Sequence, residues 1–127
     1  MPETEKDIWE LFYDIKYKSV VENEPIFAYI EKVHPFSGQG IKSAWTFSGN
    51  YHCLRMALVS NKIPFDTVSP KIWQKHIGLV YPKNISSTQK KRLGKAKAQE
   101  LFPETKFTQD QADSLLIMKY GVLIDRL

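Results

Sequence analysis

Apolar positions at three- and four-residue spacing open the chain: Ile8, Leu11, Phe12 and Ile15, with Trp9 and Tyr13 widening the same face and Thr4 placed to cap against Asp7. This predicts a first amphipathic helix. After Asn23 and Pro25 the spacing changes to a continuous β-favouring run, Ile26-Phe27-Ala28-Tyr29-Ile30, that continues to Val33. Apolar on both faces, it predicts a central, parallel strand with Glu31 at its C-terminal end. His34 to Gly40 holds the glycines and proline of a loop, and a second helix is predicted from about Ser43 to Asn61 and Lys62. Gly49 inside it predicts a close helix contact.

A second short strand is predicted over Ile63 to Val68, its start fixed by Pro64, which has no N–H for a ladder. Ser69-Pro70 then starts a short helix through Trp73 to His76, with proline in the first position where a missing N–H costs nothing. Residues 78–85 read as loop, and Ser86 or Ser87 caps a helix over Thr88 to Leu101 that ends at Phe102-Pro103. The last helix begins near Gln109 and runs through Leu115, Leu116, Met118 and Val122. The order α-β-α-β-α-α-α, without repeats or linkers, predicts a single α/β domain over residues 1–127.

Composition adds little to this and excludes a good deal. At 127 residues, 43% hydrophobic and 25% charged, the chain has the make-up of a globular domain rather than a disordered or disulfide-built one. Cys53 is the only cysteine, so no intramolecular disulfide and no cysteine-rich zinc site is possible, and a reducing, cytoplasmic compartment is expected. No apolar run reaches the roughly 20 residues of a membrane span, and the acidic start differs from a signal peptide. Neither a membrane nor an organic cofactor is expected.

Charge is unevenly distributed. Residues 1–31 carry eight acids against three lysines, whereas residues 32–106 carry thirteen Lys and Arg against Asp66, Glu100 and Glu104. A segment with ten excess positive charges suits a polyanion, since each lysine that neutralises a phosphate releases counterions. The acids of interest stand apart from that excess. Asp110 and Asp113 are three residues apart, on one face of the last helix, where acids also complement the helix dipole. Glu31, at the tip of a buried strand, is where open α/β sheets bind ligands. Three carboxylates meeting there would make an all-oxygen site suited to Mg²⁺ or Mn²⁺. Two such ions, roughly 3.5 to 4 Å apart, support phosphodiester cleavage.

These residues carry a resemblance. The run Ile30-Glu31-Lys32-Val33-His34, then Pro35 to Ser43 with Gln39, Gly40 and Lys42, then a helix with Phe47, Gly49 and Tyr51, then Val68-Ser69-Pro70-Lys71-Ile72-Trp73-Gln74-Lys75, is similar to the phage-type RuvC-like Holliday-junction resolvases. Leu101-Phe102-Pro103 followed by Asp110 to Gly121 resembles their final catalytic helix. The resemblance implies an RNase H-like (RuvC-type) α/β fold, with a mixed sheet flanked by helices. It implies a homodimeric, Mg²⁺- or Mn²⁺-dependent endonuclease (a crossover junction endodeoxyribonuclease) that nicks branched DNA in recombination and repair.

By that match Glu31, Asp110 and Asp113 are the catalytic, metal-binding acids, with Glu31 bridging the ions. Lys75 and the helix bearing Lys90, Lys91, Arg92, Lys95 and Lys97 would contact phosphates, which positions DNA without reading its sequence. His34 and Phe36 would stack or wedge against the junction, and Gln39 and Lys42 would reach the scissile phosphate region. The chain departs from the family in two ways. The family's opening β-meander, whose first strand bears the first catalytic Asp, has no counterpart here, and Asp7 and Asp14 on the first helix do not replace it. His52 also stands where the family more often has glycine.

Two other readings stay open. One is a junction- or duplex-binding chain without cleavage, and the other is an RNase H-like nuclease acting on RNA or an RNA–DNA hybrid. Trp9, Trp45 and Trp73 are expected as core or groove anchors, and Cys53 as a small buried hydrophobe. His34, His52 and His76 are not at metal-ligand spacing.

Overall fold

The computed structural model describes residues 4–33 and 38–125. Its elements follow the predicted order: α1 (Glu5–Glu22), β1 (Ala28–Glu31), α2 (Ile41–Ser60), β2 (Phe65–Val68), α3 (Pro70–His76), α4 (Ser87–Leu101) and α5 (Gln109–Asp125). Local chemistry sets several of their ends. The Thr4 side chain accepts from the Asp7 N–H at 3.1 Å, and Asn23 ends α1 in the left-handed region. Ser86 and Gln89 form a reciprocal capping box on α4. Gly78, at φ +77°, turns the chain off α3, and its N–H and that of Leu79 donate to the Lys75 and Gln74 carbonyls.

The expected RNase H-like α/β architecture, a mixed sheet flanked by helices, is not what forms. Helix makes up 65% of the described residues, and the sheet is one parallel pair, β1 with β2, each four residues long. The reason lies in strand partners. A strand extends only as far as a neighbour offers ladder groups, and β1 has β2 alone among the described residues. Pro64 precedes β2 and contributes only its carbonyl, which accepts from the Ala28 N–H at 3.0 Å. Ile26 and Phe27, strand-like by composition, therefore lie outside β1.

By their contacts the residues group into two units whose boundary runs through both strands: 1–28 with 32–66, and 29–31 with 67–127. In the first, α1 packs on α2 around a small core of Ile8, Ala57, Leu58 and Ile63. Asn61, also buried, donates its amide to the carbonyls of Trp9 (3.2 Å) and Ala57 (2.9 Å), and the Ser19 hydroxyl donates to the Glu24 carbonyl. Trp9 and Trp45, expected as core or groove anchors, are exposed, Trp45 at 82%, so neither is buried in a core. Trp9 instead stacks on Tyr13, and Tyr13 on Tyr17, with centroids 5.0 and 6.4 Å apart along α1. Cys53 is half-buried, and Gly49 has open space where a side chain would stand, not the predicted close contact.

The second unit has the larger core. Val68, Trp73, Ile77, Leu79, Ala98, Ala112, Leu116, Ile117 and Tyr120 are buried together, with Tyr29, Tyr81, Leu101 and Phe107 packed around them. The close approach that Gly49 lacks occurs at Gly121 in α5, where an added Cβ would run into the Tyr29 ring. Tyr29 has little freedom to yield, because it also packs edge-on against Tyr120, with centroids 6.1 Å apart. Gly121→Ala is therefore expected to destabilise this unit. Overpacking costs about 1–3 kcal/mol, against up to about 1 kcal/mol regained from helix propensity. A urea-unfolding midpoint at or above that of the parent would show that Tyr29 can move aside.

Candidate functional site

Glu31 ends β1, and Trp73 stands at the centre of the short helix α3. Pro70 and Ser69 start α3 so that Trp73 faces inward, and it is 1% exposed. Its indole N–H donates to Glu31 Oε2 at 3.0 Å. A buried indole needs an acceptor, and a carboxylate is a strong one.

Asp113 lies on α5 near enough to Glu31 for its charge to act on it. The Glu31 pKa is raised, first by burial and then by Asp113, while the indole bond lowers it. Asp113 is also raised, by burial, with Lys91 opposing the shift. Asp113 as a whole residue is exposed, so its burial is only partial. α4 comes close there: a Cβ built on buried Gly94 would stand 3.7 Å from Asp113 Oδ1. The main chain of Thr108 donates to the Gln111 side chain at 2.9 Å, half of a capping box that starts α5. Asp113 thus falls beyond the first turn, where the helix dipole gives less reason for an acid.

Tyr81 joins this pair, although its loop showed no sign of it in the sequence. Its phenol pKa is raised by burial, then by Asp113, then by Glu31, so both acids act on it. The Lys90 ammonium sits 5.7 Å from its ring centroid. The contacts of Trp73 and Tyr81 with the site were equally hidden, since the sequence separates Trp73 from Glu31 by 42 residues.

Asp110 is in the first turn of α5, but its side chain lies outside the described residues, as do His34 and Phe36 altogether. Gln39 and Lys42 belong to the first unit, Lys42 exposed in the first turn of α2. Lys75 is exposed in the last turn of α3. The basic residues of α4 do not act as one surface. Lys91 is beside Asp113, and Lys90 is over Tyr81. Lys97 is close to Gly78 and paired with Glu100 at 3.6 Å. Arg92 and Lys95, with Gln99 and Gln109, line an open groove of about 430 Å³.

The donor set fits a hard divalent cation in part. Glu31 and Asp113 are two carboxylates, partly dehydrated, with no salt-bridge partner among the described residues. A divalent ion relieves that arrangement, and Mg²⁺ is commonly held by one or two carboxylates with water and phosphate completing the shell. Among the described residues no group of three or more His, Cys, Asp or Glu side chains is gathered, so the pair suits one ion.

The raised carboxyls make a stability prediction. A group whose folded pKa is raised contributes stability that is fully present below its unfolded pKa and is lost as pH rises through the folded value. The unfolded values are about 3.8 for Asp113 and 4.5 for Glu31, so at neutral pH both are a cost to the apo fold. Asp113→Asn should raise the urea midpoint at pH 7, and the gain should vanish at acid pH below those values. Equal midpoints at pH 7 would show that Asp113 is not dehydrated.

No family model matches the chain, and no curated protein is similar to it.

Proposed function

We propose that the chain is a divalent-cation-dependent endonuclease of the RuvC-like resolvase type, hydrolysing phosphodiesters in branched DNA as a homodimer. The observation that supports this best is that Glu31 and Asp113, far apart in sequence, lie near enough for the charge of Asp113 to act on Glu31, with Lys91 acting in turn on Asp113. Glu31 and Asp113 would hold Mg²⁺ or Mn²⁺, which when bound lowers the pKa of its water and offsets charge on a phosphoryl oxygen. The chain's own side chains do the rest. Trp73 fixes one oxygen of Glu31, Lys90 and Lys91 offer positive charge to the scissile phosphate, and Arg92 and Lys95 bind the backbone farther along.

A second reading has its own support: a binding chain without cleavage. With two described carboxylates gathered rather than three, a cation would be held less tightly, while the exposed basic side chains of α4 remain available to phosphates. Incubating a four-way junction and a matched linear duplex with the chain and Mn²⁺, then resolving the strands on a denaturing gel, separates the readings. The endonuclease reading expects weak, Mn²⁺-dependent nicking that is lost in Asp113→Asn. Nicking that survives that substitution would overturn the site. Tight binding without nicking would favour the second reading, and no junction binding would remove both.

A further inference from the structure

The geometry points to Trp73 as the positioning residue of the cation site: its indole N–H holds Glu31 Oε2 so that Oε1 is the oxygen left for a divalent cation. This rests on the reading of Glu31 and Asp113 as cation ligands. Three features of Trp73 carry it. It is 1% exposed and belongs to the same buried cluster as Val68, Ile77 and Leu116, so its ring cannot swing away. Its N–H to Oε2 distance of 3.0 Å is that of a full hydrogen bond. Indole nitrogen is also a donor only, so Trp73 can hold a carboxylate without competing for the cation.

A glutamate at a strand end is otherwise free to rotate about three bonds, and ordering it would weaken cation binding. With one oxygen fixed by a rigid ring, that ordering is done when the chain folds, the role that outer-shell hydrogen bonds play for metal ligands. Burial of Trp73 alone would require an acceptor for its N–H but would not require that acceptor to be a cation ligand. The test must therefore read the cation as well as the fold.

Indole N–H resonances of the full, ¹⁵N-labelled chain provide a first readout, since there are three tryptophans and two of them, Trp9 and Trp45, are exposed. Glu31→Gln should move the Trp73 resonance and leave the other two. If Trp73 does not respond, the hydrogen bond is absent and the inference fails, with the carboxylate pair untouched. Titrating Mg²⁺ into the unmutated chain should also move the Trp73 resonance selectively, and this needs no variant to fold.

Mn²⁺ affinity, read by electron paramagnetic resonance, completes the test. Trp73→Phe keeps an aromatic ring and removes the donor, and should weaken Mn²⁺ binding by about 10-fold or more. In a Glu31→Gln background the same substitution should change affinity little. Equal Mn²⁺ affinity in Trp73→Phe and the parent overturns the positioning role while leaving the proposed cation site. A parent chain that binds no Mn²⁺ overturns the cation site itself, and the inference with it.

Discussion

Substituting Lys90, Arg92 and Lys95 together by alanine should lower affinity for a four-way junction roughly 100-fold at 0.15 M salt, if each neutralises one phosphate and releases about 0.9 counterion. The same change should flatten the dependence of log affinity on log salt by about three units. These three are chosen because each is exposed on α4, Arg92 and Lys95 lining the open groove and Lys90 over Tyr81. Lys91 is left intact because it moderates Asp113. Alanine is the best helix former and should leave α4 in place, so far-UV circular dichroism should not change. Filter or fluorescence-anisotropy titrations at several salt concentrations supply both numbers. A triple variant that keeps the parent's slope would show that DNA does not run along this helix.

The same helix shows how far the sequence could be read. Its charge and limits were legible, because Ser86 or Ser87 as the cap, the run of Lys and Arg, and the Phe102-Pro103 stop are local signals. The placing of each lysine was not. Lys91 beside Asp113, Lys90 over Tyr81 and Lys97 with Glu100 depend on which residues α4 faces, and local periodicity does not encode that. All seven elements were foreseen in type and order, yet the sheet expected around β1 was not formed, since strand content depends on partners and not on the strand's own β-propensity.

The aromatic residues show the same division. Trp9, Trp45 and Trp73 each occupy apolar-looking helical positions, and only Trp73 is buried. What separates them is packing: Trp73 is in the unit with the larger core, whereas α1 and α2 bury few side chains. Glycine was misread for a related reason. Gly49 and Gly121 both interrupt helical patterns, but only Gly121 meets a ring from a distant strand. At the site, Glu31 and Asp113 could be singled out by residue type and element end, while Trp73 and Tyr81 became visible only through the contacts that converge on that pair.

Leu116→Ala should destabilise the second unit more than Gly121→Ala does. Leu116 is fully buried in α5, within the cluster that includes Trp73, Ala98, Ala112 and Tyr120. Deleting a buried leucine side chain costs about 2–5 kcal/mol, the upper part of the range applying where neighbours cannot collapse into the cavity. Its surroundings are of that kind: Trp73 is tied to Glu31, and Tyr120 is packed edge-on by both Tyr29 and His76. A domain of this size has a total stability of only about 5–15 kcal/mol, so the loss is a large part of it. Met56→Ala is the matched control, because Met56 is 63% exposed on α2 and should change stability by less than about 0.5 kcal/mol. Urea unfolding of the three chains, followed by the emission of buried Trp73, should place the Leu116→Ala midpoint far below the other two. Because Asp113 precedes Leu116 by one turn of α5, loosening this core should also weaken Mn²⁺ binding, whereas Met56→Ala should leave it unchanged. A Leu116→Ala chain that unfolds with the parent would mean that the packing around Trp73 does not hold the second unit together.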